Sequence, residues 1–192
     1  SREDARKTIV EDMSSKDLID KIEDYTNSVG FSERGGVPIE HYLSDQWYMK
    51  MDTLAQPALK AVSSGKIKFH PEHWVKTYNH WMKNIKDWCI SRQLVWGHQI
   101  PVWYHKDNAE KIHVSIEGPA DPENWKREKD VLDTWASSWL WSFAVHSWPD
   151  KDKNLKTFYP TNTLVTGPDL IFFWVARMIM AGTKFQNEIP FK

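Results

Sequence analysis

The chain has 192 residues, and its 25 Lys plus Arg against 26 Asp plus Glu leave a formal charge of −1 at pH 7. That balance excludes a global basic field that would draw in nucleic acid nonspecifically, and leaves RNA contact to a local patch. A single cysteine, Cys89, excludes an internal disulfide and a thiolate zinc site and points to a reduced, cytosolic protein, while the longest apolar run, Leu170–Ala176, falls far short of the roughly 20 residues of a membrane span.

Ser1 with Asp4 reads as a capping box, and Ala5, Ile9 and Met13 at four-residue spacing predict a helix over 2–13. Ser15 predicts a second short helix carrying Leu18, Ile19 and Ile22. Residues 25–36 read as loop and turn, and 37–43 as extended chain. Asp52 is expected to cap a helix over 53–63 that stops at Ser63-Ser64-Gly65, with Ile67–Phe69 as a short strand. Pro71 suits a helix first turn, and Trp74, Tyr78, Trp81, Ile85 and Trp88 predict an amphipathic helix over 72–88. Residues 100–105 and 111–116 alternate as a hairpin pair, and 117–129 read as a polar loop. Residues 133–146 read as helix. Thr163–Thr166 reads as a buried strand, Gly167-Pro168 as a turn and 169–181 as an apolar helix. Strand, tight glycine turn and helix form the unit of an open α/β sheet, whose ligands bind at the carboxyl ends of its strands. The Gly167–Asp169 turn is therefore a candidate site on pattern alone.

Twelve tryptophans are unusual in a chain of this size; taken singly each reads as core, because large aromatics bury most of their area. His73 and His80 stand seven apart on the expected helix, with His70 nearby, but no carboxylate or cysteine completes a ligand set, so no metal is expected. The Lys66–Lys68 and Lys151–Lys156 stretches read as solvated surface.

Three segments carry a resemblance. The first is Asp87-Trp88-Cys89-Ile90-Ser91-Arg92-Gln93 followed by Trp96-Gly97-His98-Gln99-Ile100-Pro101-Val102-Trp103-Tyr104. The second is Asp130-Val131-Leu132-Asp133-Thr134-Trp135 with Ser137-Ser138. The third is Tyr159-Pro160-Thr161, then Leu164-Val165-Thr166-Gly167-Pro168-Asp169, then Phe172-Phe173-Trp174-Val175-Ala176-Arg177-Met178. In this order and spacing they resemble the class I aminoacyl-tRNA synthetases of the valine/isoleucine/leucine branch. Asp-Thr-Trp and Phe-Phe-Trp-Val-Ala-Arg-Met are of the valine type. Gly35-Gly36-Val37-Pro38-Ile39-Glu40 and Ser44-Asp45-Gln46-Trp47 resemble the return from the family's editing insertion, so nearly the whole chain is covered.

The resemblance implies an α/β fold: part of a Rossmann-like catalytic domain, parallel strands with flanking helices, plus the tail of the editing insertion. Residues 1–44 would be the C-terminal end of that insertion. Residues 45–192 would be a second-half portion of the catalytic domain, with a small hairpin and loop insertion at about 99–130. It further implies a full enzyme that activates L-valine with ATP and Mg²⁺, transfers it to tRNA(Val) and edits mischarged threonine. Trp135, Leu170 and Trp174 would line the valine side-chain pocket, and Gly167 and Asp169 would meet the adenylate. Arg92 and Gln93 would approach the acceptor end of the tRNA, or else brace the insertion. Asp169 also suits a plain helix cap.

The family's His-Ile-Gly-His and Lys-Met-Ser-Lys-Ser sequences are absent, so the chain reads as an internal piece that is inactive alone and contributes no catalytic group. No membrane association is expected. The full enzyme is expected to be monomeric, and the piece to self-associate through exposed sheet edges. Departures from the family pattern are Ala136, Trp139, Pro168 and the lack of cysteine in 105–129, where many relatives carry a zinc knuckle. An isoleucine-type enzyme and a noncatalytic RNA-contacting module are the competing readings.

Overall fold

The computed structural model describes residues 1–33, 35–150 and 153–192, and the chain divides into two compact units, Ser1–Ser44 and Asp45–Lys192. In the first unit, α1 (Arg2–Ser15) opens with the expected box: the Asp4 amide donates to Ser1 Oγ at 3.2 Å, and the Ser1 ammonium donates to the Asp4 carboxylate at 2.9 Å. Arg2 and Arg6, four apart on one face, both pair with Glu40, at 2.6 and 3.2 Å. None of the residues of α1 is buried, so the Ala5–Ile9–Met13 stripe is helical in period yet stays in solvent. The second short helix does not form. The Leu18 amide bonds back to Met13 O, Asp17 takes φ 51°, and Leu18 and Ile22 are exposed. A helix of so few residues needs burial to offset its nucleation cost, and none is provided here. Phe31 and Pro38 form an antiparallel bridge, and the rest of 37–43 forms no strand.

The second unit contains three antiparallel sheets. β1 (Tyr48–Met49) pairs with β2 (Trp88–Cys89), and β3 (Ser91–Arg92) pairs with β7 (Val131–Leu132). β4 (Val102–His105) lies between β5 (Asn108–Val114) and β6 (Trp125–Arg127). The hairpin is thus observed with a third strand, where the sequence suggests only polar loop. Trp125 explains it: the indole is buried and packs between His105 and His113, so three residues suffice to hold the edge.

The helices pack chiefly on one another. α2 (Asp52–Ser63) presents Ala55, Ala58 and Ala61, whose small side chains let a long C-terminal helix approach closely. Asp52 lies inside the first turn rather than capping it; Met51 occupies the cap position without a side-chain bond. Ile67 is buried but forms no strand, its amide closing the end of α2 on Ala61 O. α3 (Trp74–Lys83) is shorter than its periodicity suggests. Asn84 turns its amide back onto His80 O, and Trp88 enters the β1 ladder, so the remaining apolar positions reach the same core from a strand. The 133–146 segment is two single turns, α4 (Trp135–Ser138) and α5 (Trp141–Ala144). The Ser137 and Ser138 hydroxyls donate to the carbonyls of Thr134 and Trp135, which competes with helix continuation. α6 (Lys153–Phe158) carries Lys153 and Lys156 exposed; Lys151 of that basic stretch lies outside the described residues.

The C-terminal helix is continuous: a π turn at Ile171–Val175, then α7 (Ala176–Ala181), then a π turn at Gly182–Gln186. Thr163–Thr166 precedes it as chain without a strand; Val165 is 90% exposed, while Leu164 packs half-buried against the core. A strand needs a hydrogen-bonded neighbour, and past Thr161 no described segment pairs with this one. Thr161 does pair in parallel with Phe191, its amide donating to Pro190 O at 2.9 Å. Thr161, the helix and the return to Phe191 therefore form a minimal parallel crossover, and among the described residues the parallel character expected of the sheet is confined to it. At its narrowest point a Cβ on Gly182 would stand 2.6 Å from Tyr159 Oη and 3.0 Å from Glu188 O.

Where the second unit begins, Glu128 gathers four donors. Trp47 Nε1 and Tyr104 Oη bond one carboxylate oxygen at 3.1 and 2.8 Å, and the amides of Lys129 and Asp130 bond the other. Trp47 is also held through its amide to Ser91 Oγ (2.8 Å) and through its carbonyl, which accepts from the Ile90 amide. Partial burial favours the protonated acid, but these bonds outweigh it and lower the Glu128 pKa from the usual 4.5. A carboxylate with a lowered folded pKa stabilises the fold above its unfolded value and loses that contribution as pH falls through the folded one. Glu128→Gln is expected to be less stable than the parent at pH 7, with the difference shrinking and then vanishing as pH falls through the lowered folded value. Denaturant titrations at several pH values check this; a gap independent of pH would contradict it.

Candidate substrate pocket

Two single elements meet around the residues singled out in the sequence. α4 places Trp135 at its first position, and the π turn Ile171–Val175 lies against it. Trp174 Nε1 donates to Ser138 O, the last carbonyl of α4, at 3.0 Å, and the Trp135 ring stacks on Phe173 with centroids 6.3 Å apart and planes at 24°. Trp135, Leu170 and Trp174 are all half-buried. Both indoles thus belong to one packed pair of elements. Leu170 stands at the start of the π turn, four residues before Trp174. π turns of this kind recur at functional positions because they re-aim side chains.

Gly167 and Asp169 form the turn ahead of that helix. The Leu170 amide donates to Gly167 O at 3.1 Å, and Asp169 Oδ1 folds over Gly167 so closely that a Cβ there would stand 2.7 Å from it. Both residues are exposed, and no side-chain cap bond is made at this helix start. Asp169 is therefore not the cap its position suggests, and its carboxylate faces solvent.

Arg92 and Gln93 are engaged within the fold. Arg92 pairs with Asp133 at 3.3 Å and donates to Cys89 O and Ser91 O; Gln93 donates to Gln46 Oε1 at 3.0 Å and Asp130 Oδ2 at 2.6 Å. Asp133, nearly buried, also accepts from Trp88 Nε1 at 2.9 Å. Beside it lies an open cleft of about 540 Å³ whose lining includes Trp81, Trp88, Trp135, Phe173, Arg92 and Arg177. Leu170, Trp174, Gly167 and Asp169 are not among its walls. The Arg177 guanidinium stacks 3.9 Å from the Trp88 ring. Burial lowers its pKa from the ordinary value, with Asp133 opposing and Arg92 adding to that shift. Phe173 and Arg177 were visible in the sequence only as members of a motif. A buried arginine carries no pattern of its own, since its spacing is that of any core position. Among the described residues, no three His, Cys, Asp or Glu side chains are grouped to hold a metal, and no helix is long and apolar enough to cross a membrane.

This architecture is that of a class I synthetase segment: the sequence model of the tRNA synthetases class I (I, L, M and V) matches residues 4–121 and 117–192, and the chain belongs to that family. Within it the similarity is to the valine–tRNA ligases. That of Bacillus licheniformis is 55% identical over the whole chain, that of Chlorobaculum tepidum 53% over the whole chain, and that of Staphylococcus aureus 53% over 99% of it. The chain spans 22% of the length of each. The crystal structure of Mycobacterium tuberculosis methionyl-tRNA synthetase bound by methionyl-adenylate superimposes with a TM-score of 0.55 over 82% of this chain and 28% of that one, at 16% identity. That likeness supports the fold.

Proposed function

We propose that this chain is the segment of a valine–tRNA ligase that walls the amino-acid side-chain pocket, within an enzyme that activates L-valine with ATP and Mg²⁺ and transfers it to tRNA(Val) in the cytoplasm. The observation that carries the reading is the bond from Trp174 Nε1 to Ser138 O, which fixes one indole to the helical turn bearing the other. A branched aliphatic group needs flat, rigid, apolar walls, and two indoles provide them with little entropy to lose. Leu170 adds an aliphatic contact from the turn before. The exposed Asp169 carboxylate accepts from ribose hydroxyls or a ligand ammonium, and Gly167 lets the ligand approach the backbone. Contact of Arg92 and Gln93 with the tRNA acceptor end requires them to exchange their internal partners.

Residues 1–44 are, in this reading, the end of the editing insertion. A hydrophobic pocket rejects a hydroxyl-bearing isostere poorly, by only about 10² for the valine enzyme against threonine in the worked example of the general rule, so hydrolysis at a second site is required. The phosphate-handling sequences lie outside these 192 residues, and the chain alone is expected to show no exchange activity. The full enzyme acts as a monomer, whereas the isolated segment associates through unpaired edges.

The test is ATP–pyrophosphate exchange by the full-length enzyme with valine, isoleucine and threonine. Valine is expected to give the highest kcat/KM, by about 100-fold over isoleucine, the scale of one methylene against a filled pocket. Preferential activation of isoleucine would overturn the assignment.

A further inference from the structure

Arg177 lies in the second unit at a cost to the fold. It is only 9% exposed, and among the described residues its Nη1 has no hydrogen-bond partner. A buried guanidinium is costly unless acceptors match its donors, and an apolar side chain of similar volume in its place is often neutral or stabilising. The carboxylate beside it is already engaged: Asp133 accepts from Trp88 Nε1 at 2.9 Å and pairs with Arg92 at 3.3 Å. A residue kept against stability points to a role in a site it borders, and Arg177 and Trp135 wall the same cleft.

What Arg177 touches are the supports of Trp135. Its guanidinium stands 3.9 Å from the centre of the Trp88 ring. Trp88 holds both ends of α4: its Nε1 donates to Asp133, two residues before Trp135, and its ring meets Trp139, just past the last turn, edge-on at 5.6 Å. The same guanidinium stands 6.0 Å from the Phe173 ring, and Phe173 stacks on Trp135. We propose that Arg177 is a positioning residue of the valine pocket: through Trp88 and Phe173 it fixes the tilt of the Trp135 indole, and so how closely that wall meets a branched side chain. The inference deepens the valine reading and rests on it. A planar cation against aromatic faces favours one mutual orientation, which a flexible aliphatic side chain does not impose. Arg177 acts through the ring, so its loss loosens the hold on the side chain and leaves the chemical step as it was.

The full-length enzyme is assayed by ATP–pyrophosphate exchange. Arg177→Met is expected to raise KM for valine about fivefold with kcat nearly unchanged, to lower the preference for valine over isoleucine about threefold, and to leave the melting temperature equal or higher. Phe173→Leu, at an exposed position, cuts the link to Trp135 without emptying the core and is expected to raise KM about threefold. In a Trp135→Ala background Arg177→Met is expected to add almost nothing, because the ring it acts through is gone. An unchanged KM in Arg177→Met, or an increase that multiplies in full with that of Trp135→Ala, would overturn the proposal. If Arg177→Met does not fold, Phe173→Leu decides, and an unchanged KM there overturns it equally. Normal exchange by Trp135→Ala alone would remove the pocket reading and this inference with it; impaired exchange there beside a silent Arg177→Met would remove this inference alone.

Discussion

Trp174→Ala in the full-length enzyme is expected to lower kcat/KM for valine-dependent ATP–pyrophosphate exchange by about 100-fold, an effect of roughly 2.7 kcal/mol at about 1.4 kcal/mol per decade. The substitution removes one wall of the pocket and a side-chain bond between the π turn and α4, Trp174 Nε1 to Ser138 O at 3.0 Å. Trp174→Phe separates the two contributions. It keeps an aromatic wall and loses the bond, at a cost of about 1 kcal/mol and hence a loss of roughly fivefold. Discrimination between valine and alanine should fall in the Trp174→Ala variant, because a vacated wall penalises the larger side chain more. Unchanged kinetics in Trp174→Ala, in a protein that retains its melting temperature, would remove Trp174 from the pocket.

The second large effect is on stability. Phe143 is fully buried and stands edge-on to Trp148 and Tyr159, with centroids 5.1 and 5.9 Å away, and faces Phe185 at 6.4 Å. Phe143→Ala is expected to destabilise the second unit by about 3–5 kcal/mol, the cost of lost transfer energy plus a cavity that rigid rings cannot collapse into. That is a large share of the roughly 5–15 kcal/mol that holds a typical domain together. Phe143→Leu should cost less, about 1–2 kcal/mol, since it refills part of the volume. Urea denaturation of the 192-residue chain measures both. A loss below about 1 kcal/mol for the alanine variant would mean that the aromatic cluster repacks.

The sequence made the helices with local causes legible. α1 has its box at Ser1 and Asp4, α2 stops at Ser63-Ser64-Gly65, and the C-terminal helix starts past Gly167-Pro168 as expected. What escaped was set by distant partners. Trp88 has helical spacing from Trp81 and Ile85, yet joins a ladder with Met49, a choice made thirty-nine residues upstream. Trp125 looked like loop until His105 and His113 closed on it. Thr163–Thr166 has strand composition and no neighbour to pair with. At the site, the motif carrying Trp135, Leu170 and Trp174 was readable. The π turn that re-aims its side chains was not, because a ladder offset of one residue leaves no trace in composition. Arg177 was named only as a letter in that motif, and its unmatched burial emerges from packing alone.

The knot around Trp47 has a mechanical meaning. Its amide is tied to Ser91 Oγ, its carbonyl to the Ile90 amide and its ring to Glu128, which also grips Tyr104. Tension arriving along the backbone at residue 45 is therefore not delivered to one weak ladder, where bonds would peel in turn. It is divided among anchorages on β3, β4 and the segment beside β6, which have to yield together. Such an arrangement passes a pull on the chain there to β3 and to the three-stranded sheet at once.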